Sequence, residues 1–186
     1  MILAIDPGTE QSAVVQWWGG KIDGAAIMPN LAVLAWLRTD HDQSHSLWIE
    51  RISSYGMPVG REVLETCEWV GRFAEAFQQG RGVHLVYRRD IKLHHCGTCQ
   101  AKDANVRQAL IDKNGKPGTK KAPGITYGLH DDLWSAFAIA TYATETNFAC
   151  SPSGDAAPVS DPSARKQSAS GQPVGQPAGE TNSQSK

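Results

Sequence analysis

Four acids stand where apolar stretches end or begin. Asp6 closes MILAID, Glu50 closes SLWIE, and Asp131 and Asp132 precede the run LWSAFAIATYA. A carboxylate at the tip of an apolar strand is costly unless it opens into a cleft, is paired, or holds a metal ion. Three oxygen-bearing side chains suit the hard cations Mg2+ and Mn2+. Two such ions about 4 Å apart activate water and stabilise the leaving oxygen of a phosphodiester. The plainer reading of each acid is an ordinary surface position at a strand end. For Asp131 it is a first-turn acid favoured by the helix dipole.

The elements that must position these acids are legible in outline. Residues 1–6 form a buried strand candidate, and PGTE turns the chain. Ser12–Trp18 and Lys21–Met28 are β-like runs joined at Gly19-Gly20, a tight hairpin signal. Asn30 is placed to cap a short helix, LAVLAWLR. Ser46–Glu50 is another short strand. Val63, Cys67, Val70, Ala74 and Phe77 recur at helical spacing, which predicts a helix over Glu62–Gln79 stopped by Gly80 and Gly82. Val83–Tyr87 reads as a fifth strand and Ala101–Asn114 as a helix ended by Gly115. Lys116–Tyr127 reads as a basic loop, and Leu129–Thr146 as a helix opened by the paired acids. The order β-β-β-α-β-α-β-α-α implies an α/β fold: a mixed sheet of about five strands flanked by helices. It is the order of the ribonuclease-H-like fold. If the first and fourth strands are neighbours, Asp6 and Glu50 meet at one sheet edge, and the last helix can then present a third carboxylate.

The segments IDPGTEQSAVV, LWIERI, KDANVRQALIDKNG and GLHDDLWSAFAIATYA, in that order, resemble the successive motifs of RuvC-like Holliday-junction resolvases, especially the phage-type branch. The resemblance spans roughly residues 1–147. It implies a homodimer that uses divalent metal, Mg2+ with Mn2+ able to substitute, and makes paired nicks in four-way DNA junctions. Asp6 and Glu50 match its first two catalytic carboxylates. The bacterial pattern then has two acids, or a His and an acid, three residues apart on the last helix. Alignment on AFAIA puts Asp132 on the first of these and Ser135 on the second, a departure from the pattern. Asp131 is the candidate for the missing oxygen. Lys92 and Lys102 match two family lysines near the site, Lys102 being placed to hold the scissile phosphate or stabilise its transition-state charge.

The remaining basic residues are candidate DNA contacts. Lys113, Lys116, Lys120 and Lys121 cluster around a Gly/Pro-rich loop, and flexible lysines suit a phosphate backbone of variable shape. Arg107 lies about 140° round the helix from Lys102, at 100° per residue. Arg88 and Arg89 are similar candidates with less support. Tyr55, in the loop after Glu50, can stack on an unpaired base and Met57 can act as a wedge, unless Tyr55 is buried against the following helix. His94-His95-Cys96-Gly97-Thr98-Cys99 contains one CxxC, but no second CxxC or spaced His pair completes a zinc set. A helix end with a buried cysteine and a turn is the preferred reading. The six tryptophans are assigned to core or dimer interface.

Composition excludes several classes. The chain has 186 residues and a formal net charge of −1, so nucleic-acid binding must rest on local charge. No apolar run reaches membrane-spanning length, and MILAIDPGTE lacks the basic and apolar regions of a secretory leader. Four unevenly spaced cysteines make no disulfide framework. A soluble, cytoplasmic protein of a bacterial or phage-infected cell is expected, with no membrane and no small-molecule cofactor. Residues 151–186 contain no Leu, Ile, Phe, Trp or Tyr and cannot bury enough apolar surface to order themselves. The organisation expected is a nuclease domain over 1–149 and a disordered polar tail over 150–186. Actin-like sugar kinases also open with a strand, Asp, Gly and Thr, but need a second such domain. A catalytically inactive branched-DNA binder would share the same fold and basic residues. So would a nuclease for other branched or RNA-containing intermediates.

Overall fold

A computed structural model describes residues 1–39, 44–54, 56, 58–77 and 82–149, which lie in one unit of the chain, Met1–Ser151. The tail 150–186, Tyr55 and Met57 lie outside the described residues. Three strands open the fold: β1 (Ile2–Asp6), β2 (Gln11–Trp18) and β3 (Lys21–Pro29). Gly19 and Gly20 both have positive φ, 57° and 82°, the two-residue turn that matches strand twist and favours glycine. Helix α1 (Asn30–Leu37) leads to β4 (Ser46–Arg51), then α2 (Arg61–Ala76) and β5 (Val83–Tyr87). The sheet order is β3-β2-β1-β4-β5, with β1–β4 and β4–β5 parallel and the other pairs antiparallel. It is the mixed five-stranded sheet expected from the sequence.

Strand parity divides the core. Leu3, Ile5, Val14, Leu47 and Ile49 face α1 and α2, where Val33 and Phe73 are buried. Ala4, Ala13, Val15, Trp17 and Trp48 face the other way, onto the last helix, α5 (Leu133–Ala149). A strand buried on both faces reads as a continuous apolar run, as ILAI and LWI do. Ala136, Ala138, Ala140 and Ala143 are buried along α5, and their small side chains let it lie close against the sheet. Trp17, Trp48 and Trp134 fill this layer, whereas Trp18 is exposed.

Four expectations change. A further helix, α3 (Arg88–Cys96), follows β5 directly and ends at Gly97, whose φ is 70°. It buries only Ile91, so its sequence carries no apolar period. Helix α2 ends at Ala76, and its buried stripe is Thr66, Val70, Phe73 and Ala76; Cys67 is exposed. Thr66 can be buried because its hydroxyl donates to Glu62 O at 2.8 Å. Helix α4 (Asp103–Asn114) is followed by a short hairpin, β6 (Gly118–Thr119) and β7 (Ala122–Pro123), within the basic loop. Asn30 does not cap α1: it is the first helical residue, after Pro29, and its buried side chain is engaged elsewhere. Among the described residues no helix is long and apolar enough to cross a membrane.

Candidate functional site

Three parallel strands, β1, β4 and β5, end at one edge of the sheet. Ala4, Trp48 and Val86 all belong to the layer beneath α5. Side chains alternate along a strand, so Asp6 and Glu50, two residues beyond Ala4 and Trp48, face α5 as well. Arg88, two beyond Val86, opens α3 on the same side. Ile5 lies beside Ile49, and Glu50 beside Val86, which makes Asp6, Glu50 and Arg88 neighbours.

Their charges are strongly coupled. The Asp6 carboxyl is pushed up from 3.8 to about 7. Burial is the largest cause, followed by repulsion from Glu50 and, more weakly, from Asp132; Arg88 and a Ser135 hydroxyl bond oppose the shift. Glu50 is 8% exposed, and burial raises its carboxyl against the attraction of Arg88. Arg88 Nη1 donates to both Glu50 oxygens at 3.1 and 3.0 Å, while Nη2 reaches Asp103 Oδ1 at 3.0 Å and Ser135 Oγ at 3.4 Å. Burial works against the guanidinium charge, but Glu50, Asp6 and Asp103 outweigh it and hold the proton more firmly. Lys92 Nζ lies 3.2 Å from Asp103 Oδ1. Partial burial would raise the Asp103 carboxyl, but Arg88 and Lys92 prevail and hold it below its usual range.

The third side of the site is the approach to α5. Asp131 and Asp132 lie in the turn before the helix, which begins at Leu133 rather than Leu129. Asp131 has φ 43°, a left-handed backbone that a short polar side chain tolerates better than a bulky one. Its carboxylate is 2.9 Å from His130 Nδ1. The Asp132 carbonyl accepts the Ala136 N–H at 3.0 Å, and Trp134 Nε1 donates to Leu129 O at 3.1 Å, which ties the turn to the helix. Both acids line an open cleft of about 350 Å3 with Glu50, Arg88, Asp103 and Ser135. Of the two, Asp132 is the one whose charge acts on Asp6.

The backbone that follows Asp6 is held by Asn30. Its side chain accepts from Ser12 Oγ at 2.6 Å and donates to Gly8 O and Thr9 O at 2.9 and 3.1 Å, and its N–H donates to Glu10 O at 2.9 Å. Gly8 is required there, since a Cβ would lie 2.4 Å from Gln11 O.

The basic candidates separate by place. Lys92 and Arg107 line the cleft, with the Arg107 guanidinium 4.8 Å from the Trp134 ring centre. Lys102 is exposed at the N-cap position of α4 and does not line the cleft. Lys113 Nζ pairs with Glu145 at 2.5 Å, beside His94 at 2.7 Å from the same oxygen. Lys116, Lys120 and Lys121 are exposed on the β6–β7 hairpin and its approach. The histidines of the CxxC segment turn toward α5: His95 Nε2 lies 3.0 Å from Ala138 O, and burial lowers its pKa.

Sequence reasoning assigns Arg88 only a weak DNA-contact role and leaves Asp103 aside. The available signal for Arg88 is its parity with Val86 on the strand beside the one that carries Glu50. The cleft presents hard oxygen donors from Glu50 and Asp132, and both of their charges act on the buried Asp6 carboxyl. That donor set fits Mg2+ or Mn2+. Among the described residues, however, no three His, Cys, Asp or Glu side chains already converge as a metal site.

No family model and no curated protein matches the chain. Solved structures do. One is a Thermus thermophilus RuvC structure, with TM-score 0.54 and 18% identity over 80% of this chain and 96% of that one. Another is T. thermophilus RuvC in complex with Holliday junction substrate, with TM-score 0.53 and 16% identity over 80% of this chain and 95% of that one. The chain therefore has the ribonuclease-H-like fold of RuvC.

Proposed function

We propose that this protein is a metal-dependent, structure-selective DNA endonuclease of the phage type that resolves four-way junctions as a homodimer. The observation that carries the reading is that Asp6 and Glu50 end adjacent parallel strands and that the charges of Glu50 and Asp132 both act on the Asp6 carboxyl, which is raised to about 7. Asp6 and Glu50 repel each other, and Arg88 offsets this only in part, so the pair favours a further cation. The RuvC structure solved with a Holliday junction supports the substrate class.

In this reading Asp6, Glu50 and Asp132 hold Mg2+ or Mn2+, with Asp131 beside them. When bound, the metal supplies an activated water and a counter-charge for the leaving oxygen. The chain's own residues orient the reactants. The Ser135 hydroxyl bonds to Asp6 and fixes its carboxyl. Lys92 and Arg107 face the cleft and meet phosphate oxygens, and Lys102, outside the cleft at the start of α4, meets the backbone further along. Hydrolysis adds water oxygen to phosphorus and breaks one P–O ester bond.

The test is a labelled panel of four-way junctions, forks, flaps and RNA-containing branches with and without Mg2+. Paired, Mg2+-dependent nicks in the junction support the proposal. Tight junction binding without nicks in any substrate establishes the inactive binder, a reading favoured by the Arg88–Glu50 pairing and by Ser135. Preferential nicking of another branch replaces the substrate.

Two further results are expected. Replacing Lys116, Lys120 and Lys121 together should lower the log–log salt slope of junction binding by about 0.9 for each true phosphate contact, so by about 2 to 3 in all. An unchanged slope would show that these lysines are merely solvated. A chain ending at residue 150 should stay soluble and nick junctions at the full-length rate, because the remainder lacks core-forming side chains. Unfolding or inactivity of that truncation would move the domain boundary into the polar segment.

A further inference from the structure

Arg88 belongs to two depressions of opposite character. One is the acid cleft, shared with Glu50, Asp103, Asp132 and Ser135. The other is a smaller recess of about 270 Å3 lined by Arg88, Arg89, Lys92 and Cys99, three cations with no carboxylate among the described lining. Its guanidinium is committed to the acid side. It spans both oxygens of Glu50 and extends to Asp103 and Ser135.

This commitment conflicts with cation binding at Glu50. A guanidinium that engages both carboxylate oxygens occupies the positions a metal ion would take. A divalent ion brought to Glu50 therefore meets a fixed positive charge at contact distance. Arginine cannot relieve that repulsion by losing a proton. Relief must come from movement, and the side chain is long and 35% exposed. Leaving Glu50 unpaired and buried is costly, so the guanidinium moves only if a cation replaces it or another anion attracts it. The adjoining basic recess is where such an anion would sit, against Arg89 and Lys92.

We propose that Arg88 is a built-in counter-cation that closes the acid site in the DNA-free protein. It releases Glu50 when a phosphate of the DNA backbone enters the recess beside Arg89 and Lys92. Metal and phosphate then strengthen each other's binding, and by linkage the factor is the same in both directions. The inference rests on the metal-nuclease reading above and adds a regulation of that site. It also accounts for the lack of a ready-made three-ligand cluster among the described residues, since Glu50 is held by Arg88 instead.

The test reads metal affinity rather than cleavage. Free Mn2+ is followed by electron paramagnetic resonance during titration of the DNA-free, full-length wild type, Arg88→Gln and Arg88→Lys. Arg88→Gln should bind Mn2+ about tenfold more tightly than wild type, a coupling of ordinary size. Arg88→Lys keeps the charge but cannot hold Glu50, Asp103 and Ser135 through two nitrogens and should fall between them; it carries the test if Arg88→Gln does not fold. The titrations are repeated with a short linear duplex, which presents backbone phosphates without a junction, and with inorganic sulfate at matched ionic strength. The duplex should tighten Mn2+ binding to wild type several-fold and leave Arg88→Gln nearly unchanged. A similar tightening by sulfate alone would overturn the requirement for DNA. Equal or weaker Mn2+ binding by both variants overturns the latch but leaves the nuclease reading standing, because metal is still bound. Absence of Mn2+ binding in every form, with junctions uncut, overturns both.

Discussion

Asp6→Asn is expected to raise the stability of the metal-free protein at pH 8 and to abolish junction cleavage. The unfolded chain releases the Asp6 proton near pH 3.8, whereas the folded chain keeps it to about pH 7. Below pH 3.8 the group is neutral in both states and costs nothing. As pH rises from 3.8 to about 7, the unfolded state gains by ionising first, and folding loses stability until the loss is complete above pH 7. The bound on this loss is about 4 kcal/mol at 1.36 kcal/mol per pKa unit. Asparagine cannot ionise, so the variant escapes most of it. A gain of about 1–3 kcal/mol is expected at pH 8 in EDTA, fading toward pH 4, with a melting temperature several degrees higher. Cleavage should fall by about a thousandfold or more, since a metal-held charge is worth several kcal/mol in the transition state. Thermal melts at pH 4.5 and 8, with junction cleavage in Mg2+, measure both effects. Near-wild-type cleavage by the variant would remove Asp6 from the site.

Glu50→Gln should be equally inactive but should gain less stability than Asp6→Asn. Glu50 pairs with Arg88, and its loss leaves a partly buried guanidinium with Asp103 as its remaining carboxylate within 4 Å among the described residues. Removing the Glu50 charge relieves its burial penalty, but Arg88 loses a partner, and the two effects offset each other. Two acids that stand side by side at one sheet edge are thus separable by the size of their stability effect. If both variants stabilise equally, the Arg88 pairing does not persist in solution.

What the sequence made legible follows from periodicity. ILAID and SLWIE are apolar on both faces and end in an acid, so central strands and their acidic tips could be read directly. The nearly all-apolar centre of the last helix marks it as buried. What it concealed depends on contacts distant in sequence. The Arg88–Glu50 pair joins residues 38 apart, and only parity with Val86 distinguishes Arg88 from Arg89. Helix α3 buries a single apolar residue, so no apolar period marks its length and only its end near Cys96 is legible. Asn30 has the residue type of a helix cap, yet its side chain instead satisfies Ser12 and the turn after Asp6. Tertiary polar satisfaction overrode the local signal, and the override lies directly behind a candidate metal ligand.

Asp132→Asn is expected to be nearly inactive and Asp131→Asn only mildly impaired. Both acids line the cleft, but they leave the backbone differently. Asp131 stands in a left-handed conformation with its carboxylate 2.9 Å from His130 Nδ1. Asp132 is anchored through its carbonyl to the first turn of α5, and its charge acts on Asp6. Losing a metal-holding carboxylate should cost about a hundredfold or more in rate, whereas an exposed charge near a helix start is worth about 0.3–1 kcal/mol. Ser135 sharpens the comparison. Its hydroxyl bonds to Asp6 and accepts from Arg88 at 3.4 Å, so a carboxylate at this position would enter the centre of the cluster. Ser135→Asp should therefore retain or raise cleavage in excess Mg2+, while lowering metal-free stability above neutral pH by adding another negative charge beside Asp6. An inactive Asp131→Asn alongside a normally cutting Asp132→Asn would assign the third ligand to the left-handed residue of the turn rather than to the one that adjoins the helix. Cleavage rates and EDTA melts of the three variants decide between these placements.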